Sequence, residues 1–415
     1  MELFLALFYT FIFWIIIRNH RFFRIEGIRK EALKKVFLLK VFIAFATILV
    51  YKYYFNNNSF SSLTNFSDGK IMANAILNNP LDFFKMLFGF ADETTYIQTT
   101  YYQNMINWAS GNKSLFFENN HLLIRVNSIL MFLSFGFYYV QVVIFCFISF
   151  IGLTALYKYL LRFSVNSKFG IFIAVFLLPT VLIFNSGIFD VLIIFFAIGM
   201  LLFSIEKLRK EVNIKSILWI LLCLILLIES SKVLFLLILP LIISQQIINY
   251  FKNIKVWSTY LFVNAFFIIV YSLVLFFIYD KNIFDFIINM PDYMINTLGK
   301  PIPFIDKSIS FFPSIIENII ILLFIFLRIK FPAKNSKNEK SIVNFSLWFV
   351  VLMLIFIGIT TTELNTILKL KTVVLPFIFT IFAIGIDRKK CLSKLAKLQK
   401  YITKFERKII YRTVI

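Results

Sequence analysis

Residues 214–250 read IKSILWILLCLILLIESSKVLFLLILPLIISQQIINY. Two apolar runs, Ile214–Glu229 and Ser231–Tyr250, stand back to back, with charge confined to Lys215, Glu229 and Lys232 near their ends. Each run approaches the ~20 apolar residues a helix needs to cross ~30 Å of hydrocarbon. Inside lipid every backbone N–H and C=O must be satisfied within the segment, so such a run becomes a helix.

Working outward, the pattern recurs at Met1–Ile17, Val36–Phe55, Tyr138–Tyr157, Phe169–Ser186, Ile188–Ile205, Ser258–Tyr279, Pro313–Ile329, Ile342–Thr361 and Thr372–Ile386. The expected fold is an all-α, polytopic transmembrane bundle of about 11 spans. Composition agrees, because 60% of the 415 residues are hydrophobic and 15% charged. Soluble domains average about 45–50% apolar and about 25% charged. Met1–Ile17 lacks a basic leader and a small-residue cleavage site, so it is expected to remain as a span.

Charge gives the sidedness. Arg18–Lys35, Lys158–Lys168, Glu206–Lys215, Lys252–Lys255, Arg328–Lys340 and the tail from Asp387 hold 31 of the 43 Lys and Arg, against seven acids. The rest of the chain is slightly acidic. Basic loops stay in the cytoplasm, which places the N-terminus outside and the C-terminus inside a bacterial inner membrane. The net charge of +22 is therefore spread over short loops, and a nucleic-acid partner is not expected. Parity then treats Leu122–Phe137 as an interfacial or re-entrant helix, because a crossing there would invert every later basic loop. Residues 1–387 form the membrane domain, and 388–415 form a basic amphipathic cytoplasmic tail of the kind that lies on anionic lipid.

Two outer segments, Asn56–His121 and Asp280–Phe312, are long enough to build a site and carry enough aromatics to fold. His20 and His121 fall on opposite sides, and Cys146, Cys223 and Cys391 are far apart. Neither set has ligand or triad spacing. Carboxylates must therefore supply any general base. The outer candidates are Asp68 and the pair Asp92 and Glu93. Ionisable residues at span ends are costly in lipid and face a cavity or a partner. Here they are Asp190, Glu229, Lys232, Glu317, Glu363, Lys369 and Lys371, with Lys300 in the second outer loop.

Several of these positions lie in short motifs. They are Leu123-Ile124-Arg125-Val126-Asn127, Leu178-Pro179-Thr180 with Asn185-Ser186-Gly187, Asn296-Thr297-Leu298-Gly299-Lys300-Pro301, Glu317-Asn318, and Gly358-Ile359-Thr360-Thr361 ahead of Lys369-Leu370-Lys371. From about Asp68 to Asp387 the chain resembles a family of polytopic membrane proteins common in Bacteroidetes, related to GT-C glycosyltransferases and surface-polysaccharide polymerases. Where that family has Arg at three basic positions, this chain has Lys, which keeps charge without bidentate phosphate geometry. At Phe189-Asp190 it keeps the acid and lacks the family's lysine.

The resemblance implies an inverting membrane glycosyltransferase using a polyprenyl-phosphate-linked sugar, a glycan acceptor and the membrane lipid. Asp68 would be the base, with Asp92 and Glu93 as rival bases or metal ligands. Lys232, Lys300, Lys369, Lys371 and Arg125, with Asp190 and Glu317, would bind substrate. Either lysines or a divalent metal would neutralise the leaving phosphate. Two other readings share the same cations: a flippase for lipid-linked oligosaccharide, and a non-enzymatic scaffold of an envelope or secretion complex.

Overall fold

The computed structural model describes residues 1–54, 61–90, 95–109, 121–251, 254–279, 291–292, 294–295, 297–301, 311–360, 364–393 and 396–410. Among them no strand forms, and the chain is an all-α helical membrane bundle. In chain order the helices are α1 Glu2–Asn19, α2 Lys30–Leu49, α3 Ser61–Asn78, α4 Pro80–Phe88, α5 Thr95–Thr100, α6 Ile106–Ala109, α7 His121–Ser134 and α8 Tyr138–Leu161. They continue with α9 Lys168–Phe176, α10 Pro179–Phe184, α11 Asp190–Lys210, α12 Ile214–Ser230, α13 Lys232–Tyr250 and α14 Val256–Tyr279. The last are α15 Phe312–Lys330, α16 Lys337–Thr360, α17 Leu364–Gly385, α18 Arg388–Ser393 and α19 Ala396–Ile409.

Among the described residues, seven helices are long and apolar enough to cross a membrane: α1, α8, α11, α13, α15, α16 and α17. The other four expected spans depart from the simple pattern for visible reasons. Helix α2 carries Lys34, Lys35 and Lys40. The Phe169–Ser186 run is broken at Leu177–Leu178 ahead of Pro179, whose ring disfavours helix at the residue before it. Helix α12 has 17 residues, and the side chains of α14 are described only to Val270. Helix α7, at 14 residues, is ~21 Å long and too short to span.

The chain folds as two interleaved compact units. Unit 1 comprises Met1–Leu156 and Leu182–Lys232. Its aromatic core stacks Phe13 on Phe147 at 4.2 Å and Phe23 on Phe150 at 5.7 Å. Helices α8 and α11 cross at Gly152 and Gly199: a Cβ on Gly199 would collide with the Gly152 carbonyl. Small residues at such a crossing let two backbones approach in lipid.

The segment of unit 1 between α2 and α8 has its own core of Met72, Phe83, Met86, Ile97, Tyr101, Met105 and Ile124. Asn79 caps α4 by accepting from the Leu81 amide, and Gly89 ends that helix in the left-handed region at φ 75°. Gly69 on α3 lies against the Asn127 side chain of α7, leaving no room for a Cβ.

Unit 2 comprises Tyr157–Val181 and Val233–Arg412. Helix α17 is its central element, buried along most of its length between α9, α15 and α16. The chain leaves α17 through a short bridge, with the Asp387 amide donating to the Phe331 carbonyl at 2.8 Å. The tail helix α19 docks within this unit. Arg388 donates two hydrogen bonds to Glu406, at 2.5 and 2.9 Å, and lies over the Phe169 ring, which also meets Phe405.

Candidate functional site

In unit 1, Asp68 sits on α3, fully buried. Its Oδ1 accepts from the Ile106 amide at 2.9 Å, and its Oδ2 accepts from the Asn107 amide and side chain, both at 2.8 Å. The carboxylate thus takes up the first free amides of α6, which a helix of this length cannot satisfy itself. Trp108 follows directly. Its ring stacks on Tyr102 at 4.3 Å and on His121 at 3.8 Å, and the Arg125 guanidinium lies 5.7 Å from its centroid.

Arg125 then closes the network. Its Nε donates to the Met86 carbonyl at 3.2 Å and its Nη1 to Glu229 at 3.3 Å. The structure therefore joins two sequence-predicted residues, Asp68 and Arg125, through Asn107 and Trp108. Burial, with the Arg125 charge beside it, pushes His121 down to about 4, against a backbone hydrogen bond at Trp108. Asp190 opens α11 half-buried, and Lys232 is exposed.

Unit 2 gathers a second group. Lys371 on α17 is buried, and its Nζ donates to the Leu298 carbonyl at 2.6 Å, the Lys300 carbonyl at 3.0 Å and Asn318 Oδ1 at 2.6 Å. Asn318 in turn donates to the Gly299 and Pro301 carbonyls. Its neighbour Glu317 accepts from the Thr180 amide at 2.9 Å and the Thr180 hydroxyl at 2.7 Å. Lys300 and Lys369 are half-buried beside this cluster in sequence. Four predicted binding residues thus share one unit. Asp92, Glu93 and Glu363 lie outside the described residues.

No family model, curated protein or solved structure matches this chain. Among the described residues no three of His, Cys, Asp and Glu gather around one point.

Sequence reasoning passed over an interior column in unit 1. Lys40 is fully buried, its Nζ 2.5 Å from Ser149 Oγ and 2.6 Å from the Asn185 carbonyl. Further out, Ser62 Oγ accepts from the Ile188 amide and lies 2.9 Å from the Tyr138 hydroxyl. Asn65 donates to the Ile188 carbonyl, Asn127 to the Asn65 carbonyl, and Gln141 to the Asn127 side chain and carbonyl. Both polar atoms of the Asn185 side chain and the Ser186 hydroxyl are buried without a partner, at a cost of about 1–3 kcal/mol for each such group. The sequence signal for this column was Lys40 inside an apolar run, a position where charge implies a partner.

Proposed function

We propose that this chain is a membrane glycosyltransferase or polysaccharide polymerase that takes a polyprenyl-phosphate-linked sugar at the outer face of a bacterial inner membrane. The observation that carries the reading is that Lys371 holds the 297–301 segment, which bears Lys300, to α17, where Lys369 lies two residues before it. Lys371 is taken up by three acceptors and positions this segment, so Lys300 and Lys369 are the cations that would meet a phosphate on a lipid anchor and the charge that develops as the sugar departs.

Asp68 supports this reading as a builder of the outer segment. Its oxygens are enclosed and engaged by three donors, so an acceptor hydroxyl has no approach to them. The base role therefore passes to Asp92 or Glu93. The test is transfer of labelled sugar from polyprenyl phosphate by the purified chain in lipid nanodiscs. Asp92→Asn with Glu93→Gln is expected to lower the rate at least about 100-fold. No transfer by the unaltered chain, or full transfer by the double variant, overturns the respective claim.

A second reading, translocation of a lipid-linked glycan, is favoured by the interruption at Leu177–Leu178 and the non-helical turn Asn185–Phe189. Discontinuous helices of this kind occur at transporter sites. Movement of labelled lipid across a vesicle bilayer without a new glycosidic bond would select it.

A further inference from the structure

Neither reading above uses the titratable side chain in the interior of unit 1. Lys40 is the eleventh of the 20 residues of α2, and Ser149 the twelfth of the 24 residues of α8. Their contact therefore lies near the half-length of both helices. The third party is the Asn185–Phe189 turn between α10 and α11, whose Asn185 carbonyl accepts from Lys40 Nζ. Tyr138 lies eleven residues before Ser149 on α8, ~16 Å along the axis. Ile188 is tied to Ser62, whose hydroxyl meets that of Tyr138, so one end of the turn is fastened toward the start of α8 and the other near its middle.

No carboxylate pairs with Lys40 among the described residues. The titratable group facing it from α8 is the buried Cys146 thiol. Helix α1 brings Tyr9, whose hydroxyl donates to the Leu133 carbonyl. Helix α2 itself adds Lys34 and Lys35 nearer its start, while α11 carries its ionisable groups at its ends.

The acceptors around Lys40 are thus neutral oxygens: one hydroxyl and one carbonyl freed where a helix stops. That is the donor set of an alkali-cation site, here filled by an ammonium on a tether. An ionised donor makes hydrogen bonds roughly twice as strong as a neutral one, so the grip on the turn depends on the proton. The unpartnered Asn185 amide and Ser186 hydroxyl point the same way. Buried polar groups are normally satisfied, so three unpaired atoms leave the turn at a cost that a second arrangement would relieve.

We propose that Lys40 is a proton-binding site in the membrane interior. Its ammonium form clamps the Asn185–Phe189 turn to α2 and α8. Loss of the proton to bulk water, with nitrogen keeping its lone pair, frees the turn and loosens α3, which Ser62 and Asn65 fasten to Ile188. The inference stands independently of glycosyl transfer.

The test is amide hydrogen exchange of the full-length chain in nanodiscs across a pH series, corrected for the intrinsic pH dependence of exchange. For Asn185–Phe189 the corrected rate is expected to rise at least about tenfold through a single titration. Lys40→Arg, which keeps its charge throughout, should stay slow and flat, and Lys40→Met should be fast and flat. Amides of α17 in unit 2 serve as the control and should not follow. A flat profile in the unaltered chain overturns the proposal. So does the same titration in Lys40→Arg, or α17 moving in step as in global opening. Where neither variant yields a monodisperse protein, the unaltered chain and its α17 control decide.

Discussion

Asp68 takes hydrogen bonds from Ile106 and Asn107, a segment that carries almost no apolar burial of its own beyond Trp108. Replacing it with Ala strands three part-buried donors, and Asp68→Ala is expected to destabilise the segment by about 1–3 kcal/mol. Asp68→Asn, which keeps an acceptor, should cost less. Amide exchange at Ile106 and Asn107 is the measurement, and unchanged protection in Asp68→Ala would refute the capping role. His121 makes a pH-dependent contribution to the same segment. Folding holds it at about 4, below its ordinary 6.5, so the unfolded chain binds the proton first as pH falls. Stability from this group is therefore intact above about 6.5, is lost progressively down to about 4, and changes no further below that. Melting of the segment followed between these limits should drop for the unaltered chain and stay level for His121→Phe. A parallel drop in the variant would assign the effect to another group. The sequence offered Asp68 as an outer acid and His121 as an isolated histidine. What it could not offer was their joining through Trp108, because that pairing is made by tertiary contact and leaves no periodic trace.

At the scale of elements, helix identity was written in the apolar runs, and the parity of the basic loops set the region of α7, a helix of 14 described residues, apart from the spans. The break between α9 and α10 was marked as well, since Leu178 precedes Pro179. The register of α2 was less legible: its helix begins at Lys30 rather than Val36, because Ala32, Leu33, Lys34 and Val36 are already buried there. Two element-level contacts can be tested directly. Gly199→Ala drives a methyl into the Gly152 carbonyl, backbone against backbone, so neither partner can yield by changing rotamer. A loss of about 1–3 kcal/mol is expected, read as a lowered melting temperature in detergent. A variant as stable as the parent would mean that α8 and α11 cross elsewhere. Lys371→Met removes the donor that holds the Leu298 and Lys300 carbonyls and Asn318 to α17. Exchange at residues 297–300 should accelerate by about tenfold or more, each stranded acceptor costing about 1–3 kcal/mol. If it does not, the segment is held by something other than Lys371.

For the whole molecule, the apolar runs specify a membrane bundle, yet they do not reveal that the chain divides into two interleaved units. That division follows from which helices share contacts, and Tyr157–Val181 is recruited away from its neighbours in sequence. Sidedness, by contrast, depends on charge alone and is open to a direct check. Loops holding most of the Lys and Arg resist translocation, so Lys70 on α3 and Lys210 at the end of α11 should lie on opposite faces. Single-cysteine forms carrying Lys70→Cys or Lys210→Cys, with Cys146, Cys223 and Cys391 replaced by Ser or Ala, can be treated in intact cells with a membrane-impermeant maleimide. Lys70→Cys is expected to label at once, and Lys210→Cys only after the membrane is opened. The reverse order would turn the protein over and move every lysine of the unit 2 cluster to the cytoplasmic side. A donor bearing its phosphate at the outer surface would then have no cation to meet, and the proposed chemistry would fail with the topology. Labelling of both positions in intact cells would show instead that the chain between them crosses an even number of times. Since α7 is too short to span, that result would fall on α8, α9–α10 or α11, and the interrupted helix would be the first place to look.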